Sequence, residues 1–282
     1  MVQRVERARK QQMTRGVIIF AFNSEKYNYY EMAKHAASRA KHFLNLPVTL
    51  VTDEDSMPAG EYEHWDKVVK INPDKNNVRD WGQWINKGRY LAYDLSPYEE
   101  TILIDADYVI NSDKLLKTFD IYDDFCCHDS VRFFMRQGNF PEALSPNSYD
   151  DILWATVITF KKTERAKQIF ECLEMIQKNY EHYEHIHGFL NAGFRNDYAL
   201  TLALRIVNGH TDNPKDFIPW NLMHVGTNTT IYPNNEGEFN TEYTIIFDSW
   251  QKLKIKKEYN VIKDMDFHLI NKDLYARIID NG

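Results

Sequence analysis

Three apolar runs, each closing on polar or acidic residues, constrain this chain more than any other feature in it. GlyValIleIlePheAlaPhe (16–22) is apolar throughout, the pattern of a strand buried on both faces. ProValThrLeuValThrAsp (47–53) reads as a second strand ending in an acid. ThrIleLeuIle (101–104) is a third, and it runs straight into Asp105 and Asp107. Between the first two, residues 29–45 show helical spacing through Met32, Ala36, Ala40 and Phe43, and Pro47 stops that helix. Strand, helix, strand in this order predicts a β-α-β unit and hence a parallel sheet.

The alternation continues along the chain. Lys67 to Ile71 reads as a short strand, and Trp84 to Leu95 as a helix ended by Ser96-Pro97. A helix is expected near 112–119 and a strand near Ile152–Phe160. A long helix is expected at about 163–180, opened by Thr163 with Glu164 behind it. Another runs from near Asn196 to Val207, with Asn208-Gly209 as its stop. The C-terminal part mixes strand-like runs such as Tyr243–Phe247 with loops and a terminal helix near Lys272–Ile279. No repeat, low-complexity tract or linker divides the chain. The expected fold is therefore α/β, with a mostly parallel central sheet flanked by helices. One domain spans 1–282, with a polar lead-in at 1–15 and an irregular C-terminal extension at about 220–282 that completes the site.

Apolar residues make up 43% of the chain, which supports a full core and excludes global disorder. No stretch approaches the ~20 uncharged apolar residues of a membrane span. Met1 to Arg15 carries Arg4, Arg7, Arg9, Lys10 and Arg15 but no apolar run behind them, so it does not read as a secretory signal. A cytoplasmic location is expected. Cys126, Cys127 and Cys172 have neither metal-site spacing nor an even count; they read as small buried hydrophobes in a reducing compartment. The net charge of −7 counts against broad duplex binding, though not against a local basic face. Aromatic content of 14% is read first as core. His182, His185 and His187 are expected on a polar loop or helix face.

The chemistry concentrates at Asp105 and Asp107. In an open α/β sheet, ligands collect beyond the carboxyl ends of the strands. Strand alternation points residues 105 and 107 to one side, with Ala106 turned away. Two carboxylates so placed repel unless a cation lies near them. Mg²⁺ and Mn²⁺ take oxygen ligands and often need only one or two protein carboxylates plus substrate phosphates. The bland alternative is a turn cap at Asp105 with a solvated Asp107. The buried strand before the pair favours a metal–diphosphate site.

In this setting IleLeuIleAspAlaAspTyrValIle (102–110) resembles the Asp-x-Asp strand of GT-A-fold glycosyltransferases, especially the glycogenin-like nucleotide-sugar families. PheAlaPheAsn (20–23), LeuValThrAsp (50–53) and the helix–SerProTyr–strand lead-in at 89–104 extend the resemblance. It thins after residue 160. The resemblance implies a Rossmann-like GT-A fold and a metal-dependent hexosyl- or pentosyltransferase. Its donor would be a UDP-sugar, its cofactor Mn²⁺ or Mg²⁺ held by Asp105 and Asp107, and its acceptor a hydroxyl.

The same resemblance implies roles for single positions. Ala21, Asn23, Ser24 and Tyr27, after the first strand, would contact the base and ribose, and Asp53 would sit near the base. Arg89, or Lys87 nearby, would reach the diphosphate or sugar. Ala106 joins Asp105 and Asp107 in the nucleotide-facing strand end. His268, in AspPheHisLeuIleAsnLys (266–272), would be a third metal ligand, a role that a packing histidine rivals. Asp197 would face the transferred sugar or acceptor with a catalytic role, unless it simply caps a helix. Arg195 would pair with Asp197 or with phosphate. ValArgPhePheMetArg (131–136) either borders the acceptor or is an ordinary amphipathic strand.

Three other readings compete. Nucleotidyltransferases commonly cradle a triphosphate in a glycine-rich loop after the first strand; here that loop is AsnSerGluLysTyrAsnTyr (23–29), without glycine. A non-catalytic sugar-binding protein on the same fold would not need both Asp105 and Asp107. A nucleotide-dependent dehydrogenase is excluded by the lack of Gly-x-Gly-x-x-Gly after any strand. The acceptor stays open among protein, glycan, small molecule and a modified DNA base of the kind that phage-type transferases use. Retention of configuration is favoured by the resemblance alone.

Overall fold

The structure, a computed structural model, describes residues 14–79, 82–134, 151–189, 193–226, 229–251 and 254–279. The chain runs β1 (Arg15–Phe20), α1 (Tyr29–Arg39), β2 (Val48–Thr52), β3 (Lys67–Lys70), β4 (Val78–Arg79), β5 (Gly82–Gln83) and α2 (Ala92–Leu95). Then come β6 (Glu100–Asp105), β7 (Tyr108–Val109), α3 (Thr118–Ile121), β8 (Phe125–His128), β9 (Val131–Phe133) and β10 (Trp154–Lys161). Three helices follow, α4 (Glu164–Lys178), α5 (Tyr180–His187) and α6 (Asn196–Val207). The C-terminal part holds β11 (Leu222–Val225), β12 (Thr229–Pro233), β13 (Glu242–Gln251), β14 (Lys254–Lys263), β15 (Phe267–Leu269) and α7 (Tyr275–Ile279).

Alternate residues of the apolar runs enter opposite layers, as the two-residue period of a strand requires. Val17, Ile19, Leu50, Ile102 and Ile104 join one buried cluster, while Ile18, Val51 and Leu103 join another. On the first side α1 covers the sheet through Ala33, Ala36 and Ala37. On the second, α4 and α6 cover it through Ile169, Phe170, Leu200 and Ala203. Each such aliphatic side chain contributes roughly 1.5–3 kcal/mol on burial. The sheet between the layers has the order β3-β2-β1-β6-β10-β8. β3, β2, β1 and β6 are parallel, and β10 runs antiparallel to both β6 and β8. This is the mostly parallel α/β sheet expected. A Cβ on Gly16 would overlap the Tyr98 ring packed across β1, so the close approach there requires glycine.

A second sheet, ordered β7-β15-β11-β9, brings the C-terminal part to the carboxyl end of β6. β15 pairs antiparallel with β7, setting His268 opposite Tyr108, and the Leu269 amide donates to the Asp107 carbonyl at 3.0 Å. β11 lies parallel to β15 with His224 beside His268. A third sheet joins β12, β13 and β14. Arg39, 1% exposed, clamps these parts together. Its guanidinium donates to the Ile110, Glu238 and Asn240 carbonyls at 2.6, 2.6 and 2.7 Å, and to the Asn111 side chain. Without those acceptors a buried cation would be costly.

Several boundaries differ from the sequence reading. The helix expected over Trp84–Leu95 starts at Lys87, as a 3₁₀ turn (Lys87–Leu91) leading into α2. Trp84 stays extended because its amide donates to the Asn77 carbonyl at 2.8 Å beside the β4–β5 pair. The helix near 112–119 is a 3₁₀ turn (Lys114–Lys117) followed by α3. The 29–45 helix is α-helical to Arg39, then widens into a π turn (Ala40–Leu44) that Asn45 ends at φ 52°. The long helix is capped by Thr163 as expected, its hydroxyl accepting from the Ala166 amide at 3.2 Å. It stops at Lys178, and α5 carries His182, His185 and His187 on a separate helix. The C-terminal part is less irregular than expected, since Tyr243–Phe247 belongs to a long antiparallel pair, β13–β14. Arg15 belongs to β1, not to the lead-in. Arg4, Arg7, Arg9, Lys10, Met135 and Arg136 lie outside the described residues. The three cysteines are free and buried.

Two buried histidines make stability depend on pH. Burial holds His35 and His128 down at about 3, against about 6.5 for a free imidazole. The unfolded chain therefore binds more protons between these values, and stability falls as pH drops through that window. His128 also has no hydrogen-bond partner among the described residues. His128→Leu is expected to be neutral or stabilising at pH 7. It should also flatten the acid decline by up to about 1.4 kcal/mol per pH unit, read from urea unfolding at pH 4 to 7.

Candidate active site

Asp105 ends β6 at the carboxyl edge of the central sheet, and Asp107 follows immediately before β7. A cleft of about 240 Å³ opens there. Its walls include Phe20, Phe22 and Tyr29 from the first strand and loop, Trp84, Trp154 from β10, and Ile270. Its polar groups include Arg89, Asp105, Asp107, Arg195, Asp197, His224, His268 and Lys272. They come from segments far apart in sequence, joined by the two sheets.

Each carboxylate meets its own cation. Lys272 Nζ lies 2.7 Å from Asp107 Oδ2, and His268 Nε2 lies 3.2 Å from Asp107 Oδ1. The Arg89 guanidinium pairs with Asp105 and donates to the Ala155 carbonyl at 2.7 Å. Burial opposes ionisation of Asp107, but Lys272 and His268 outweigh it and hold its carboxyl well below the usual range. Asp105 moves the other way: burial raises it, Arg89 opposes, and the neighbouring Asp107 charge adds to the rise. Burial also opposes the charged forms of His268 and Lys272, yet Asp107 raises both. Burial pushes the Tyr29 phenol up to about 12 and His224 well down. The Lys272 ammonium lies 5.4 Å from the Trp84 ring centroid and 5.9 Å from that of Tyr29, within cation–π range.

Asp105, Asp107 and His268 bring one ligand atom each to within 4.8 Å of one another. Two carboxylates with one imidazole form a donor set that Mn²⁺ accepts readily, and Mg²⁺ less so because of the nitrogen. Asp197 lies in the first turn of α6. Its Oδ1 accepts from the Ala155 amide at 3.0 Å, and its Oδ2 pairs with Arg195 at 3.1 Å. The carboxylate is thus fixed against β10 within the cleft wall.

Of the residues singled out in the sequence, Arg89, Asp105, Ala106, Asp107, Asp197 and His268 line the cleft, and so does Arg195. Ala21, Asn23, Ser24, Tyr27, Asp53 and Lys87 do not. The loop uses their polar groups for itself. Asn23 accepts from the Tyr30 amide at 2.9 Å and donates to the Ser56 carbonyl at 3.2 Å. Ser24 accepts from the Tyr27 amide at 3.1 Å. Asp53 accepts from the Ser56 amide at 2.9 Å and faces Lys75 at 3.6 Å. Lys87 turns away to Asp74 at 3.0 Å and the Asn76 carbonyl at 2.8 Å. Tyr29, not Tyr27, supplies the aromatic wall. Sequence reasoning missed Lys272, His224, Trp84 and Trp154. Lys272 closes the very segment that drew attention to His268, and a cation four residues from a candidate ligand was the available signal.

No protein-family model and no curated protein sequence matches this chain. Similar solved structures include two glycosyltransferases. GlyE of Streptococcus pneumoniae is 13% identical with a TM-score of 0.41, over 67% of this chain and 43% of that one. The chain thus spans less than half of the pneumococcal protein. Mouse xyloside xylosyltransferase 1 is 10% identical with a TM-score of 0.43, over 70% of this chain and 83% of that one. A 4-diphosphocytidyl-2C-methyl-D-erythritol synthase from Anaerococcus prevotii is 12% identical with a TM-score of 0.33, over 70% and 99%.

The Asp107–Lys272 contact makes a testable demand. Both side chains are almost wholly shielded, at 6% and 8% exposure. Asp107→Asn should destabilise the metal-free protein by about 3–5 kcal/mol, because it strands a buried ammonium. Adding Lys272→Met should recover much of that loss, measured by guanidinium unfolding of the two single variants and the double.

Proposed function

We infer that this cleft binds a nucleoside-diphosphate sugar and transfers its glycosyl group to an acceptor hydroxyl with the help of a divalent metal. One observation carries the reading. Asp105, Asp107 and His268 converge as a ligand set beside Lys272 and Arg89, in an aromatic-walled cleft at the carboxyl end of β6. Two acids with fixed cations around them suit a doubly charged diphosphate that arrives with its own metal.

The first loop supports a nucleotide sugar over a nucleoside triphosphate. A triphosphate-cradling loop needs free backbone amides. Here the Asn23 amide donates to the Ser56 hydroxyl at 2.7 Å, the Ser24 amide to the Tyr27 carbonyl at 3.1 Å, and the Tyr27 amide to the Ser24 hydroxyl. Nucleotidyl transfer is therefore the weaker alternative. The donor we assign is a UDP-sugar and the metal Mn²⁺, which the His268 nitrogen favours. Cytoplasm is the assigned location. No helix among the described residues is long and apolar enough to cross a membrane. A glycan, a small molecule or a modified DNA base each meets the requirement for an acceptor hydroxyl.

In this reading the bond between the anomeric carbon and the β-phosphate oxygen breaks, and negative charge grows on the departing diphosphate. A bound divalent ion supplies Lewis-acid stabilisation of that charge. Asp105, Asp107 and His268 would hold the ion. Lys272, paired with Asp107 in the structure, would add a buried positive charge close to the diphosphate. Arg89, anchored on the Ala155 carbonyl, would do the same beside Asp105. The Asp197 carboxylate, held by the Ala155 amide and Arg195, is placed to accept a hydrogen bond from a sugar or acceptor hydroxyl.

Incubation with a panel of nucleotide sugars and Mn²⁺ tests the function. One donor should be slowly hydrolysed to its nucleoside diphosphate, and EDTA or Asp107→Ala should abolish that release. Lys272→Met should lower kcat by about 10²–10³ with a smaller change in KM, as loss of a charge-stabilising donor does. Failure to bind any nucleoside diphosphate, with or without metal, would sink the reading.

A further inference from the structure

His224 stands directly behind His268. The two are register partners on the parallel strands β11 and β15, with ring centroids 4.9 Å apart. His268 turns Nε2 toward Asp107 Oδ1 at 3.2 Å and Nδ1 toward His224 Nε2 at 3.4 Å. Both imidazole nitrogens of His268 are therefore committed, one to the acidic pair and one to His224.

Aromatic rings pack on His224, and the His128 and Asp107 side chains lie close enough to act on its charge. It is 0% exposed, and its ring meets those of Trp154 and Phe133 nearly at right angles, at 4.8 and 5.2 Å between centroids. Its Nδ1 has no hydrogen-bond partner among the described residues. A polar ring in such a place costs desolvation that phenylalanine or leucine would avoid. Packing alone does not account for it. The contact with His268 is what a hydrocarbon could not supply.

A neutral imidazole carries one proton, so one nitrogen donates and the other accepts. A histidine that offers Nε2 to a metal must keep its proton on Nδ1, and the group receiving that proton's hydrogen bond fixes both tautomer and ring angle. We propose that His224 is the positioning residue of the metal centre. Its Nε2 accepts the Nδ1–H of His268 and thereby turns His268 Nε2 toward the position beside Asp105 and Asp107 where the ion would sit. The proton of His224 itself then sits on Nδ1. The role of β11 follows: the parallel pairing with β15 delivers an acceptor to the back of a metal ligand. This inference rests on the metal reading of the proposed function.

Two measurements test it. Long-range ¹H–¹⁵N spectra of histidine-labelled wild-type protein loaded with diamagnetic Mg²⁺ and UDP read the tautomer of His224 directly. The expected form is Nδ1–H with Nε2 as acceptor, and an Nε2–H form in the loaded protein would overturn the proposal. The second measurement is Mn²⁺ affinity, from the paramagnetic resonance signal of free ion, with and without UDP. His224→Phe keeps ring and burial but removes the acceptor. It should weaken Mn²⁺ by about 10- to 100-fold with no fall in thermal midpoint, whereas His224→Gln, which restores an acceptor, should stay within a few-fold of wild type. Equal affinity in wild type and His224→Phe would overturn the positioning role. A wild type that takes no Mn²⁺ at all would overturn the metal reading beneath it. If His224→Phe fails to fold, the wild-type tautomer decides alone.

Discussion

Two carboxylates held two residues apart at the end of a buried strand repel each other, and that repulsion has to be answered by cations. In this chain the answer comes from three separate places. Arg89 reaches Asp105 from the turn before α2, and His268 and Lys272 reach Asp107 from β15 and the segment after it. Isolated in a low-dielectric cleft, the pair would be unstable or would take up a proton. With its partners it forms a charged cluster in which the two acids differ: Asp107 is held firmly ionised, while Asp105 is shifted toward protonation. An incoming divalent ion would meet the more hindered acid with a lysine on it, and the less ionised acid with an arginine.

That cluster explains why the C-terminal part is built as it is. His268 is placed by the pairing of β15 with β7, the strand that follows Asp107 directly. The register is tied by the Leu269 amide on the Asp107 carbonyl. Arg39 locks α1 to the same region through carbonyls at 110, 238 and 240. The central sheet positions the acids, the turn before α2 brings Arg89 to Asp105, and the smaller sheet brings His268 and the following Lys272 to Asp107. Neither makes the site alone.

The central strands were legible because burial on both faces leaves a continuous apolar run, and few other structures do. The acids at 105 and 107 were legible because the run ends on them. Trp84–Asn86 misled because apolar spacing says nothing about an amide already taken by Asn77. The β13–β14 pair was half visible: Tyr243–Phe247 reads as a strand, whereas LysIleLysLysGlu (254–258) reads as surface. Its alternation is masked by lysines that suit an exposed edge strand. Asn23, Ser24 and Asp53 were placed by position in the resemblance, but local hydrogen bonds draw them into their own turns. Lys272 and His224 are distant from Asp107 in sequence, and only the second sheet brings them near. For His224 the sequence offers no signal unless the pairing of β11 with β15 is already known, whereas Lys272 could have been found from its place four residues after His268.

The most direct test is anomalous diffraction at the manganese edge from crystals soaked in MnCl₂ and UDP. A single strong peak bounded by Asp105, Asp107 and His268, with Lys272 moved from Asp107 onto the diphosphate, is the predicted result. Nucleotide bound with no manganese at that position and Lys272 still paired with Asp107 would contradict it.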